Sequence, residues 1–218
     1  HRGFNCSAQH RGVTNHLERN LRPNSMRISV LRFFTAILFF VFSASAVSAQ
    51  ETYVLGDGST IRVDGSSNKS DWSVNANGFS GSFEVTEGVP QSGTLTIDVK
   101  EMKGGRSLIM DRLMYSSFNA DEHPQISFLL DSAEATGEDQ WTMAGNLTIS
   151  GVTLPVSVVL TEERSNNRTI RYSGAHELKM TDFGMKPPTA MFGSLHTKDD
   201  VQIAFDLLLA STCEEECE

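Results

Sequence analysis

The sequence predicts an all-β protein built mainly from antiparallel strands. After residue 50, apolar and polar residues alternate in several segments, a pattern that places the apolar side chains on one face of a strand. Turn-forming Gly, Asn and Asp residues separate these segments. One stretch breaks the alternation with apolar residues four or five positions apart, which is typical of a short helix.

Two segments at the start of the chain are expected to take no part in this fold. Residues 1–25 are polar and carry four arginines, and we interpret them as translated upstream sequence or as a disordered extension. Residues 26–49 combine a basic start, an apolar run of about ten residues and small residues ending in Val-Ser-Ala, which predicts a secretory signal peptide. A retained anchor is the less favoured alternative, because roughly 18 apolar residues are needed to cross a bilayer. We expect a mature chain that starts near Gln50 and is periplasmic or secreted, with no transmembrane segment.

Eight or nine strands are expected in the mature chain. Strand candidates lie at residues 60–63, 71–76, 79–85, 94–100, 126–130, 147–149, 156–160 and 201–207, and a further one surrounds His176. In the clearest candidate, Leu95, Ile97 and Val99 alternate with polar residues and would share one face. The edges of so long an antiparallel sheet need protection, and either a closed barrel or a sandwich would provide it. Periodicity leaves both architectures open.

The helix candidate covers residues 106–116. Met110 and Met114 are four positions apart, which would place both side chains on one helix face. Pro124 limits the segment, because the residue before a proline is restricted to extended backbone. Residues 121–124 should therefore form a loop that leads into the next strand.

Charge and composition exclude one class of partner. The first 49 residues hold six of the 18 basic and one of the 27 acidic residues, so the remaining chain has 12 basic residues, 26 acidic residues and a formal net charge of −14. Such a surface repels phosphate backbones, and we expect no nucleic-acid partner. The composition also gives no sign of a basic face for anionic headgroups. Residues 50–210 are long enough to form one domain with a core.

The acidic tail, residues 211–218, contains Cys213 and Cys217. A disulfide across so short a loop would constrain only the tail. A metal site is the weaker alternative, since no histidine lies nearby and a tetrahedral site needs four ligands. We expect a flexible, solvated tail.

Motifs for catalysis are missing from the sequence. The histidines of the mature chain, His123, His176 and His196, are widely spaced, and neither H-E-x-x-H nor G-x-S-x-G occurs. We interpret His176 and the two tryptophans as packing residues, with Trp72 as an alternative cap of a barrel mouth. The sequence thus predicts no enzyme, no catalytic residue, no metal and no cofactor.

Several motifs occur in a recognisable order. They are S-G-T-L-T-I-D-V at 92–99, the helix candidate, F-x5-P-x-I-x-F at 118–128, G-x-L-T-I-x-G-V-T-x-P-V at 145–156 and T-D-F-G at 181–184. In this order they resemble the YceI-like family of secreted lipid-binding β-barrels over residues 53–209, and the 145–156 motif is the most specific. The chain departs from the family in its G-x-S-x-x-x-D-W opening at 65–72 and at 190–196, which bears on the ligand more than on the fold.

The resemblance implies an extended, lipocalin-like antiparallel β-barrel of about eight strands with one or two short helices. It also implies a hydrophobic lumen for a long-chain amphiphilic lipid, isoprenoid-like or fatty-acid-like, and hence a carrier protein. An eight-stranded barrel is just wide enough inside for side chains or one slender ligand. An envelope interaction or stress-related structural protein with a filled barrel is the alternative, and a hydrolase or metal enzyme at the rim is less favoured.

On this hypothesis the ligand contacts inward-facing apolar residues and a mouth formed by residues 106–124 and 184–197. Methionines are frequent in both segments, and their flexible thioethers suit a chain of variable shape. The lipid headgroup would lie near Lys186 or Arg112. The predicted ligand-binding residues are Leu95, Ile97, Val99, Met110, Leu113, Met114, Phe128, Leu130, Leu147, Ile149, Val156, Val158, Leu160, Met180, Phe183, Met185 and Phe192.

Overall fold

The computed structural model describes residues 50–105, 107–166 and 168–212, which form twelve β-strands and one α-helix. The strands are β1 Gln50–Leu55, β2 Thr60–Ser67, β3 Asp71–Ala76, β4 Phe79–Thr86, β5 Val89–Asp98, β6 Met102–Lys103, β7 Gln125–Ala135, β8 Gln140–Ile149, β9 Val152–Asn166, β10 Thr169–Lys179, β11 Thr189–Ala190 and β12 Leu195–Ser211. The helix, α1, covers Leu108–Ser117, and short 3₁₀ turns cover Val99–Glu101, Met180–Phe183 and Met191–Gly193. The predicted all-β class is confirmed. The predicted signal peptide and the tail cysteines lie outside the described residues.

Eight of these strands close into an antiparallel barrel. Their order is β1, β4, β5, β7, β8, β9, β10 and β12, and β12 pairs back with β1. Closure protects the strand edges, and it decides between the barrel and the sandwich in favour of the barrel.

The long strand β12 forms two pairings along one edge. Its last residues pair with β1, where Leu209 lies opposite Leu55. Its earlier residues pair with β2, where Phe205 lies opposite Ile61. Because β2 pairs in turn with β3, and β3 with the short β6, the β2–β3 hairpin extends the wall at one end of the barrel.

Two local hydrogen-bonding arrangements set boundaries that periodicity did not predict. The β5 strand ends at Asp98, whose side chain accepts a hydrogen bond of 3.0 Å from the Lys100 backbone N–H. Val99 therefore lies in a 3₁₀ turn rather than in the expected strand, although it stays buried. At α1, the Ser107 hydroxyl accepts from the backbone N–H groups of Ile109 and Met110 at 3.2 and 3.3 Å. This N-cap starts the helix two residues later than predicted.

The barrel interior contains two hydrophobic cores. The first includes Val99, Met102 and Phe183 and lies at the end where α1 packs, which we call the helix end. The second includes Tyr53, Phe83, Ile170, Tyr172 and Leu209, and we call its location the closed end. Four half-buried side chains contact both cores and lie between them: Leu55, Leu95, Phe128 and Phe205.

Aromatic rings lie flat against the inner wall where the neighbouring strand carries glycine. Trp72 lies opposite Gly65, and a Cβ atom at Gly65 would be only 2.2 Å from its indole ring. Phe83 lies opposite Gly93, where a Cβ atom would be 2.1 Å from the phenyl ring. Glycine at these positions allows the rings to occupy the wall rather than the middle of the lumen.

Candidate ligand-binding site

An apolar cavity of about 190 Å³ lies at the helix end of the barrel. Its walls come from α1, from the inner faces of β2, β3 and β12, and from the segment that follows Met180. An engineered cavity of about 150 Å³ is known to admit benzene. A ring or a short aliphatic segment therefore fits into this cavity as it stands, whereas a long chain needs further space.

Methionine is the most frequent residue in the cavity wall. Met102, Met110, Met114, Met180 and Met185 line it, which are five of the seven methionines after residue 50. Unbranched thioether side chains have several accessible rotamers and fill irregular space. The wall can therefore change shape at a lower cost than one made of β-branched or aromatic residues.

Two polar groups border this apolar space. Asp111, on α1, is 7% exposed and is the one buried charged residue in the described part of the chain. Its carboxylate accepts a 3.1 Å hydrogen bond from the Gly104 backbone N–H, which offsets part of the cost of burial.

The indole N–H of Trp72 is also buried, and within the described residues it has no hydrogen-bond partner. An unpaired buried donor is costly and favours a ligand with an acceptor atom.

A polar network lies beside the second core at the closed end of the barrel. Tyr172, 2% exposed, donates a 3.1 Å hydrogen bond to the Glu162 carboxylate. Arg164 forms an ion pair with Glu162 and donates to the Gly88 carbonyl oxygen at 2.7 Å. Burial raises the pKa of Tyr172 far above its ordinary value, so the hydroxyl stays protonated and continues to donate. Entry of a ligand from the helix end stays a prediction.

His176 faces the same interior from β10. It lies opposite Ile203 of β12, which lines the cavity, and paired residues of antiparallel strands point to the same side. Burial lowers the pKa of its imidazole, which favours the neutral ring. This placement agrees with the interpretation of His176 as a barrel residue.

The predicted ligand-binding residues occupy three kinds of position. Those that line the cavity are Met110, Leu113, Met114, Ile149, Met180 and Met185. Those that belong to the helix-end core or pack against it are Leu95, Ile97, Val99, Phe128, Leu147, Val156 and Phe183. Those that lie elsewhere are Leu130 and Leu160 in the closed-end core, the half-buried Val158 and the fully exposed Phe192.

Both predicted mouth segments reach the cavity. Met110 and Met114 contribute from one segment, and Ala190 and Thr197 contribute from the other. Lys186 and Arg112, proposed neighbours of a headgroup, are exposed on these segments. Their contact with a ligand stays a prediction.

Some lining residues were not among those predicted from the sequence. Val63, Trp72 and Ile203 line the cavity from β2, β3 and β12. The alternation of apolar and polar residues shows which face of its strand each one occupies. They come together only because the β2–β3 hairpin lies beside β12. The G-x-S-x-x-x-D-W segment was the available signal, since its Gly65 provides the space for Trp72.

The described residues lack two other features that would point to a different function. Across residues 50–105, 107–166 and 168–212, no cluster of three or more His, Cys, Asp or Glu side chains could hold a metal ion. No helix in this part of the chain is long and apolar enough to span a membrane.

The chain is similar to several known proteins. Residues 53–209 match the YceI-like domain. A UPF0312 protein of Azotobacter vinelandii is 25% identical over 116 residues, which are 50% of this chain and 60% of the relative. The chain thus spans about three fifths of that relative's length.

Solved structures share the fold at low identity. Burkholderia cenocepacia BcnA is 22% identical with a TM-score of 0.60, and the match covers 69% of this chain and 95% of BcnA. A polyisoprenoid binding domain from Saccharophagus degradans is 15% identical with a TM-score of 0.61, and the match covers 75% of this chain and 99% of that domain.

Proposed function

We propose that this chain, which belongs to the YceI-like family, binds a long-chain amphiphilic lipid in its barrel and carries or sequesters it outside the cytoplasm. The observation that carries the proposal is the apolar, methionine-lined cavity at the helix end. The description of a structural neighbour as a polyisoprenoid binding domain supports an isoprenoid-like ligand. The proposal includes no catalytic step.

Burial of a hydrocarbon chain provides sufficient free energy for this function. Each buried methylene contributes about 0.8 kcal/mol, so ten of them would contribute roughly 8 kcal/mol. Before the entropy lost on association is subtracted, this value would correspond to a dissociation constant of about 1 μM. No covalent bond or metal is needed for such an affinity.

A long chain must extend beyond the existing cavity. The first segment would fill the space beneath α1, and methionine rotamer changes would open a path toward the half-buried side chains between the two cores. The closed-end network around Tyr172 and Glu162 would limit the depth. The headgroup would remain at the helix end, near the buried N–H of Trp72.

The substitution Met114→Glu tests the proposal in a titration with the fluorescent fatty acid cis-parinaric acid. Met114 lines the cavity, and a carboxylate there would require desolvation whenever a chain enters. We expect a loss of affinity of at least about 100-fold, while the far-UV circular dichroism remains that of a β protein. Ser116→Glu adds the same charge at an exposed position of α1 and should bind like the parent. Equal affinity in the parent and the folded Met114→Glu variant would contradict the cavity assignment.

A further inference from the structure

Four large apolar side chains are exposed beside the cavity. Leu108 and Ile109, in the first turn of α1, are 76% and 70% exposed, and Met191 and Phe192, in the turn before β12, are 72% and 113% exposed. We call these four residues the rim patch. Neighbours in both segments, Met110 and Ala190, line the cavity, so the patch borders the site proposed for the lipid.

The backbone holds part of the rim patch in a strained conformation. Met191 and Phe192 have φ angles of 53° and 55°, in the left-handed region that residues with a side chain rarely adopt. Such conformations cost free energy and persist where the surrounding structure enforces them. Here the strain accompanies a fully exposed phenyl ring, which gives no stability in return.

The charge around the rim patch differs from that of the whole chain. Residues 107–118 and 184–198 carry three exposed cations, Arg112, Lys186 and Lys198, and one acid, Asp111, which is buried. Acidic residues flank the second segment at Asp182 and Asp199. The two segments that reach the cavity therefore carry more exposed cations than exposed acids, within a chain that is acidic as a whole.

We propose that the rim patch docks on a lipid bilayer that contains anionic lipid. Exposed apolar side chains beside basic residues are typical of protein surfaces that lie in the membrane interface. Each cation near an anionic surface contributes favourably, and at about 0.15 M salt the acidic charges that lie more than about 8 Å from the surface are largely screened. Docking would place the cavity against the bilayer, so that a lipid chain could pass between them without exposure to water. This last step rests on the proposed lipid binding, whereas docking itself does not.

Vesicle flotation at about 0.15 M salt tests the docking. We expect the purified protein to bind phosphatidylcholine vesicles that contain about 30% phosphatidylglycerol more tightly than vesicles of phosphatidylcholine alone. Ile109→Ser and Phe192→Ser should each weaken this binding about tenfold, because each removes one inserted side chain. Leu129→Ser is the matched control, since Leu129 is 50% exposed on β7, away from the rim patch, and its loss should change nothing.

The charge contribution has its own variants. Arg112→Gln and Lys186→Gln should each reduce the preference for phosphatidylglycerol about fivefold. A parent that does not bind vesicles, or an equal loss in Leu129→Ser and Phe192→Ser, would overturn the docking. The docking proposal would also be overturned if the parent self-associates without binding vesicles and Phe192→Ser abolishes the self-association. The rim patch would then be a contact between copies of the chain.

The two proposals can fail separately. Vesicle binding by a parent that takes up no cis-parinaric acid would support docking and contradict the lipid cavity. Uptake of cis-parinaric acid by a parent that does not bind vesicles would support the lipid cavity and contradict docking.

Discussion

Two matched isoleucine-to-alanine substitutions, one at the closed end and one at the helix end, compare how tightly the two ends of the barrel are packed. Ile170 of β10 is 0% exposed in the closed-end core, whereas Ile203 of β12 is half-buried and lines the cavity. Ile→Ala removes three carbon atoms, worth about 2.4 kcal/mol of transfer free energy when fully buried. At Ile170 the substitution also leaves a cavity, and we expect the free energy of unfolding to decrease by about 4 kcal/mol in total.

At Ile203 the same change should cost much less. Part of this side chain already faces empty space, so we expect the free energy of unfolding to decrease by only about 1 kcal/mol. For a domain of this size, these values correspond to a melting temperature lower by roughly 8–16 °C for Ile170→Ala and by roughly 2–4 °C for Ile203→Ala. Thermal and urea unfolding, followed by circular dichroism, would measure the difference. Affinity for cis-parinaric acid should change in the opposite order, with the larger loss in Ile203→Ala.

Equal destabilisation of the two variants would refute this prediction. Such a result would mean that the interior is packed to the same extent at both ends, as in a filled barrel. A larger binding loss in Ile170→Ala would place the ligand at the closed end instead.

Three further predictions concern single residues. Trp72→Phe removes the unpaired N–H and should weaken binding of a long-chain alcohol about three- to tenfold but leave binding of the corresponding alkane unchanged, as measured by competition with cis-parinaric acid; equal effects on both would contradict a headgroup contact. Burial lowers the pKa of His176, so its contribution to stability should be constant above about pH 6.5 and fall as the pH decreases toward the folded-state pKa. His176→Gln should remove this part of the fall in the urea midpoint. Gly93→Ala would place a Cβ atom 2.1 Å from the Phe83 ring and should cost about 1–3 kcal/mol in urea unfolding, whereas Thr94→Ala, at an exposed neighbour, should have little effect.

The strands were predictable where the inward face is continuously apolar. Residues 71–76 form a strand with the predicted bounds, because Trp72, Val74 and Ala76 alternate with polar residues. The β10 strand gives a weaker pattern, since Gly174 and His176 occupy its inward face. Barrel closure was not readable from periodicity, because it depends on the pairing of Leu55 with Leu209, which no local pattern reveals.

The cavity could be predicted only in part. Met110 and Met114 were predicted to contact the ligand because they lie four positions apart in a methionine-rich helix segment at the expected mouth, and both line the cavity. The location of the empty space depends on how side chains such as Tyr53 and Phe83 fill the other end, which is a sum of volumes rather than a sequence pattern. Phe192 was predicted to contact the ligand because residues 184–197 are rich in methionine and aromatic residues. The left-handed turn at residues 191–192 exposes its side chain, and the contact stays a prediction.

The most direct test of lipid binding is native mass spectrometry of the protein purified without detergent from its own host. We expect a mass increase that corresponds to about one amphiphilic lipid per chain, which organic extraction should release for identification by its mass. A protein that carries no lipid under these conditions, and takes up none from added isoprenoid or fatty acid, would contradict the proposed function.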